Sequence, residues 1–217
     1  VNSGSSANLI SLLSLNLKKG SKVITPSLTF STTIAPIVQS NLIPYFVDIE
    51  EETLQINVSK LKELDLDNVS AICVPNLIGN IANWEDIYTF AMENNLKVIE
   101  DSADTIGYKI NNKNYGKFSE ITTNSMYASH IITGAGFGGM VCFNDKKTYE
   151  KAKLLRGWGR SSAIFNESEG IKLRFSKKVS GIPYDGKYIF SAMGYNFLPS
   201  EISAAFAIEQ VKKLKNN

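Results

Sequence analysis

Histidine is almost missing from this chain: its 217 residues contain one, His130. Cysteine is nearly as scarce, with only Cys73 and Cys142. Two thiols are too few for a cysteine-only zinc site or for an iron–sulfur cluster held by cysteines. Both lie in strand-like apolar surroundings, AICVP and MVCFN, and read as core thiols. An excess of either charge is missing too. The 23 basic and 21 acidic residues leave a net charge of +2, and the lysines are scattered along the chain. Neither a nucleic-acid-binding face nor a polybasic membrane contact is expected from such a pattern. No apolar run approaches the ~20 residues that a membrane span needs. There is also no signal-peptide pattern, although a chain opening on VNSGSSAN reads as the interior of a longer one. The expected setting is the cytoplasm.

Strand-type and helix-type segments alternate through the first two-thirds. Residues 6–17 have helical spacing and end at Lys18, Lys19 and Gly20. Strands are expected over 22–25, 44–49, 70–75 and 96–101, and helices over 29–39, 58–64 and 84–94. Continuous apolar strands separated by helices predict an α/β fold, a mostly parallel sheet with helices on both faces. The rhythm then changes. Strands over 120–126 and 139–144 are separated by a glycine-rich turn, and helices follow over 146–156 and 200–214. Residues 157–196 have little periodicity. Their aromatics, Phe165, Phe175, Tyr184, Tyr188, Phe190 and Tyr195, predict an ordered, docked loop.

Three stretches could carry chemistry. The small-residue turn Gly4-Ser5-Ser6-Ala7 opens the first helix, where free N–H groups suit a phosphate; a plain serine cap gives the same pattern. Val98-Ile99-Glu100-Asp101 brings a carboxylate to the C-terminal end of a buried strand, the edge where open α/β sheets bind ligands. Asp101 there could hold a protonated ring nitrogen, as a pyridoxal-type cofactor needs, or cap the next segment. Third, His130 follows Ser125 and precedes a glycine run, Gly134 to Gly139. A lone imidazole serves as a general base near neutral pH or as a buried hydrogen-bonder. No lysine occurs between Lys117 and Lys146, so nothing in this stretch could hold such a cofactor covalently.

Together these stretches resemble the DegT/DnrJ/EryC1/StrS sugar aminotransferase family. The resemblance rests on Val1-Asn-Ser-Gly-Ser-Ser-Ala7, Val23-Ile-Thr-Pro-Ser-Leu-Thr-Phe30, Pro44-Tyr-Phe-Val-Asp48, Val98-Ile-Glu-Asp101, Gly138-Gly139 and Gly194-Tyr-Asn196. It implies the aspartate-aminotransferase fold (type I of the pyridoxal-phosphate proteins). Residues 1–217 would form the cofactor-binding large domain, with an upstream segment and a small C-terminal domain outside the sequence. More narrowly, the chain looks like the branch of nucleotide-sugar 3-dehydratases in which a histidine replaces the cofactor-anchoring lysine, and His130 falls at that position. The stretch Arg156-Gly-Trp-Gly-Arg160 is also similar to CDP-sugar 3-dehydrases. Those carry an iron–sulfur cluster on cysteines just beyond it, where this chain has Ser161-Ser162-Ala163-Ile164, so no cluster is expected.

The resemblance implies pyridoxal or pyridoxamine phosphate bound non-covalently, a nucleotide-linked 4-keto-6-deoxyhexose as substrate and glutamate as amino donor. Ser5, Ser6 and Ser125 would bind the cofactor phosphate. Phe30 would stack on the ring, Asp101 would pair with its nitrogen, and Asp104 would lie near its 3-hydroxyl. Asn196 would reach the neighbouring subunit of a homodimer with shared sites, and His130 would be the base. The GAGFGG stretch departs from the family's GEGG-like turn. A sugar aminotransferase and an inactive cofactor-binding homologue are the alternatives.

Overall fold

The computed structural model describes residues 1–114, 116–165 and 171–214. The elements follow one another as α1 (Gly4–Leu15), β1 (Lys22–Pro26), α2 (Ser31–Gln39), β2 (Ile43–Val47), α3 (Val58–Leu61), β3 (Val69–Pro75), α4 (Trp84–Glu93) and β4 (Lys97–Asp101). A two-residue hairpin, β5 (Lys109–Ile110) and β6 (Lys113–Asn114), precedes β7 (Ile121–Ser125), β8 (Gly139–Phe143) and α5 (Lys146–Arg156). The short α6 (Ile171–Arg174), the hairpin β9 (Lys177–Val179) and β10 (Ile182–Tyr184), and α7 (Glu201–Leu214) complete it.

Six strands form one sheet in the order β2-β1-β3-β4-β7-β8. All neighbours pair in parallel except β7 and β8, which are antiparallel. Alternate residues of the buried strands therefore serve opposite faces. Val23, Ala71, Cys73, Ile99 and Ile121 pack with Leu12 of α1 and Ile37 of α2. Ile24, Ile72, Val74 and Val98 pack with Leu61 of α3 and with Trp84, Ile87 and Phe90 of α4. Burial of each such large side chain contributes about 1.5–3 kcal/mol relative to exposure. The helices begin where side chains can receive their first N–H groups: Ser3 accepts from Ser6 N, Asn83 from Asp86 N and Asp145 from Thr148 N. α1 stops at Asn16, whose left-handed backbone (φ 54°) turns the chain before the Lys18–Gly20 stretch is reached.

Two sequence expectations need correction. Cys73 is a core thiol, but Cys142 is exposed. β8 is an edge strand, and only Val141 and Phe143 on its other face meet the core. Within 157–196 the chain makes short helical turns and the β9–β10 hairpin. Yet Phe175, Tyr184, Tyr188, Phe190 and Tyr195 are all substantially exposed, and Phe165's side chain lies outside the described residues. Backbone, not aromatic burial, docks this segment. Trp158 N donates to Tyr195 O at 2.9 Å, Tyr195 N to Leu155 O at 2.7 Å, and Ser191 N to Gly159 O at 2.8 Å.

Candidate active site

Strand order reverses between β1 and β3, and ligands of open α/β sheets sit beyond the C-terminal strand ends at such a point. β4 ends there on Asp101, in register with Pro75 of β3 and Thr123 of β7. β7 ends on Ser125, and the N-terminus of α1 abuts the same edge. A cavity of about 580 Å³ opens between them. Ser5, Phe30, Asp101, Asp104, Ser125 and His130 all line it, although they come from four separate stretches of sequence. None of its lining residues is a lysine or an arginine.

Asp101 is the buried electrostatic feature of the cavity. Its Oδ2 accepts from Asn8 Nδ2 at 2.8 Å and Thr33 Oγ1 at 3.0 Å, and its Oδ1 from Ala103 N at 3.2 Å. Asn8 is held in turn by Thr123, whose hydroxyl donates to Asn8 Oδ1 at 2.6 Å. Burial pushes the carboxyl above its usual range; the Asn8 and Thr33 donors pull it back, and nearby Asp104 raises it further. Among the described residues its hydrogen-bond donors are all neutral. A cation brought by a ligand would relieve that desolvation.

His130 and Asp104 form the other wall. His130 Nε2 lies 3.4 Å from Asp104 Oδ1, and the ring edge meets Tyr127 with centroids 6.2 Å apart. Asp104 Oδ2 accepts from Ile78 N at 3.0 Å. Ile78 sits in the left-handed region (φ 51°, ψ 28°), which strains a β-branched residue by about 1–3 kcal/mol. Beneath this wall Asn76 is fully buried. Its side-chain oxygen receives Ala82 N and Trp84 Nε1, and its amide reaches Ser102 and Tyr108. That network pins the turn after β4, which carries Asp104.

The α1 entrance is compact. A Cβ on Gly4 would stand 2.7 Å from Ser125 Cβ, so only glycine lets the helix start reach β7. The first-turn N–H groups there have no intrahelical acceptor, and Ser5 is exposed toward the cavity. Ser6 does not line it; its Oγ accepts from Ser3 Oγ at 3.1 Å. Successive helical side chains are about 100° apart, so Ser5 and Ser6 do not share one spot. Phe30, the residue before α2, is 68% exposed at the mouth. Asn196 lies outside the cavity, exposed, with its backbone bridged to Gly157. Sequence reasoning missed Asn8, Thr33, Thr123 and Asn76. The available signal was a polar residue inside an apolar run, such as Asn8 between Ala7 and Leu9.

This sheet, with its acidic strand end and the start of α1 set against it, has the type I fold of pyridoxal-phosphate-dependent proteins. The chain belongs to the DegT/DnrJ/EryC1/StrS aminotransferase family, whose sequence profile matches residues 1–217. It is 35% identical over 223 residues to the GDP-4-keto-6-deoxy-D-mannose 3-dehydratase of Escherichia coli O55:H7, covering 99% of this chain and 55% of that protein. It is also 35% identical over 225 residues to the dTDP-4-dehydro-2,6-dideoxy-D-glucose 3-dehydratase of Saccharopolyspora spinosa, covering 99% of this chain and 48% of that one. Among solved structures it superposes on a GDP-4-keto-6-deoxymannose 3-dehydratase with bound GDP-perosamine at a TM-score of 0.85 and 33% identity, over 99% of this chain and 56% of that one. The E. coli GDP-4-keto-6-deoxy-D-mannose 3-dehydratase with bound hydrated PLP gives 0.84 and 34%, over 99% and 55%. The chain thus spans about half the length of the relatives it matches.

Proposed function

We propose that residues 1–217 are the cofactor-binding large domain of a 3-dehydratase that removes the C3 hydroxyl of a nucleotide-linked 4-keto-6-deoxyhexose. The observation that carries this reading is an imidazole, not an amine, in a lysine-free cavity that also holds a buried carboxylate. Bound pyridoxamine phosphate would supply an amine for the C4 ketone and an electron-withdrawing ring. The residues fit that group. Asp101 offers a desolvated carboxylate to a protonated ring nitrogen, and the open start of α1 with Ser5 and Ser125 offers N–H and hydroxyl donors to a phosphate. Phe30 presents an aromatic face at the mouth, and Asp104 would stand near the ring's 3-hydroxyl.

His130 would accept the proton from the cofactor carbon that bears the amine and return one to the departing hydroxyl. A histidine suits this task, since an imidazole can both take and return a proton and cannot hold the cofactor as a stable imine. Glutamate would restore the amine between turnovers. We read the assembly as a cytoplasmic homodimer in which Asn196, exposed and outside its own cavity, meets the neighbour's phosphate.

The test uses full-length protein, pyridoxamine phosphate and a panel of nucleotide 4-keto-6-deoxy sugars, with product masses as the readout. Loss of the 3-hydroxyl is expected. Replacement of the keto oxygen by an amine with the 3-hydroxyl retained would mean an aminotransferase instead. His130→Lys should trap pyridoxal phosphate as a borohydride-reducible lysine adduct and lose dehydration; dehydration at the original rate in that variant would sink the role given to His130.

A further inference from the structure

Asn124 is a buried polar residue of β7 that the cofactor site as described above leaves unused. Its neighbours Thr123 and Ser125 meet α1, and alternation along the strand turns Asn124 the other way. There its Nδ2 donates to Ser102 O at 2.6 Å and to Thr105 O at 2.8 Å. These two carbonyls bracket Ala103 and Asp104 in the turn after β4. The opposite amide orientation would set an oxygen against two carbonyl oxygens, so the chemistry fixes which end faces the turn. From the other side of β4, Asn76 reaches the hydroxyls of the same two residues, at 3.1 Å for Ser102 and 3.3 Å for Thr105. Asn76 shares its two hydrogens among these and the oxygens of Glu100 and Tyr108, whereas each hydrogen of Asn124 has a carbonyl of its own.

Asp104 needs such a hold. It shares the cavity with the carboxylate of Asp101, and no lysine or arginine lines that cavity to offset the two charges. Repulsion between them favours Asp104 swinging out toward water. We propose that Asn124 is a positioning residue for Asp104: by bridging the Ser102 and Thr105 carbonyls it keeps the turn closed, and so keeps the Asp104 carboxylate on the Ile78 N–H at the cavity wall. The importance of this for catalysis rests on the reading of Asp104 as a neighbour of the cofactor ring; the bridge itself rests only on the geometry.

The Ile78 N–H reports where Asp104 stands without any ligand. It belongs to an exposed residue, donates to Asp104 Oδ2 at 3.0 Å and shares no hydrogen bond with Asn124. In ligand-free full-length protein, residue-resolved amide exchange should find Ile78 protected. Asn124→Asp, which sets an oxygen against both carbonyls, should speed its exchange about tenfold or more, the range for a hydrogen bond to a charged group. Asn124→Ala should do the same and carries the test if the charged variant does not fold. Asp104→Ala should match them, and adding Asn124→Ala to it should change Ile78 no further. Ala82, whose N–H is held by Asn76 in the neighbouring turn, should stay slow throughout. An Ile78 rate unmoved by the Asn124 variants overturns the proposal, and so do effects that add in the double variant. Equal losses at Ala82 and along β4 overturn it as well, because they would mean general loosening. Equilibrium dialysis should show pyridoxamine phosphate bound equally weakly by Asn124→Ala, Asp104→Ala and the double variant; losses that add would again overturn it. Failure of the wild type to bind pyridoxamine phosphate at all would sink the functional reading and leave the exchange rates to decide this one.

Discussion

Asp101 keeps its carboxylate almost wholly buried, answered among the described residues by neutral donors. With its folded-state pKa raised by burial, the native protein binds this proton more tightly than the unfolded chain does. The linkage has a definite sign. The group favours folding most below the ordinary carboxylate value of about 4 and progressively less as pH rises through the raised value. Ligand-free Asp101→Asn should lose this decline, so its urea stability relative to wild type should rise as pH climbs above the ordinary carboxylate value of about 4. The same variant should bind pyridoxamine phosphate about 10- to 100-fold more weakly by equilibrium dialysis, the range for a hydrogen bond to a charged group. Asp101 and His130 could be found in the sequence because each follows a local pattern, an apolar run ending in acid and a lone imidazole beside glycines, whereas Ser125 came from the family resemblance. Asn8, Thr33 and Thr123 could not. Their meaning comes from meeting Asp101 across sequence gaps of 93, 68 and 22 residues, the last through Asn8, and no periodicity carries that information.

At the scale of elements, small residues decide which backbones can touch. Gly4 brings the start of α1 onto Ser125, so Gly4→Ala should cost about 1–3 kcal/mol by overpacking and weaken phosphate binding together. Denaturant midpoints and phosphate-competition titrations would check the pair. Gly159 is more constrained. At φ 78° its added Cβ would stand 1.8 Å from Ala192 O, a distance no side chain tolerates. Gly159→Ala should therefore detach the strand-like pairing of 157–160 with 190–196. It should appear as faster amide exchange at Trp158 and Tyr195, whose bonds hold that pairing. Helix and strand positions were legible in advance because their hydrophobic periods are strong; ends shifted by a residue or two where caps decided them, as at Asn16. The 157–196 stretch was illegible because it is held by main-chain bonds between residues far apart in sequence, such as Trp158 and Tyr195, and its aromatics gave a misleading signal of burial.

Across the whole molecule, two apolar layers enclose a sheet whose polar edge is confined to one end. The layers should be the stable part. Trp84→Ala, in the layer under α4, is expected to cost about 3–5 kcal/mol of global stability by chemical denaturation. The β9–β10 region answers to acid in the opposite sense from Asp101. Asp185 is held down to about 2 by its hydrogen bonds from Arg174, so its contribution is present above the ordinary carboxylate range and fades as pH falls toward that value. Acid titration should loosen 174–188 ahead of the sheet, as seen by proteolysis or amide exchange.

One contact noted at the α1 entrance reaches further than its size suggests. Glycine at 4 lets the helix start rest directly on Ser125, while a Cβ on Gly139 of β8 would lie only 2.3 Å from Ser3 O, so the start of α1 is wedged between two strands of the central sheet. A phosphate received at a helix start so closely packed would forfeit its own freedom without also freezing a loop.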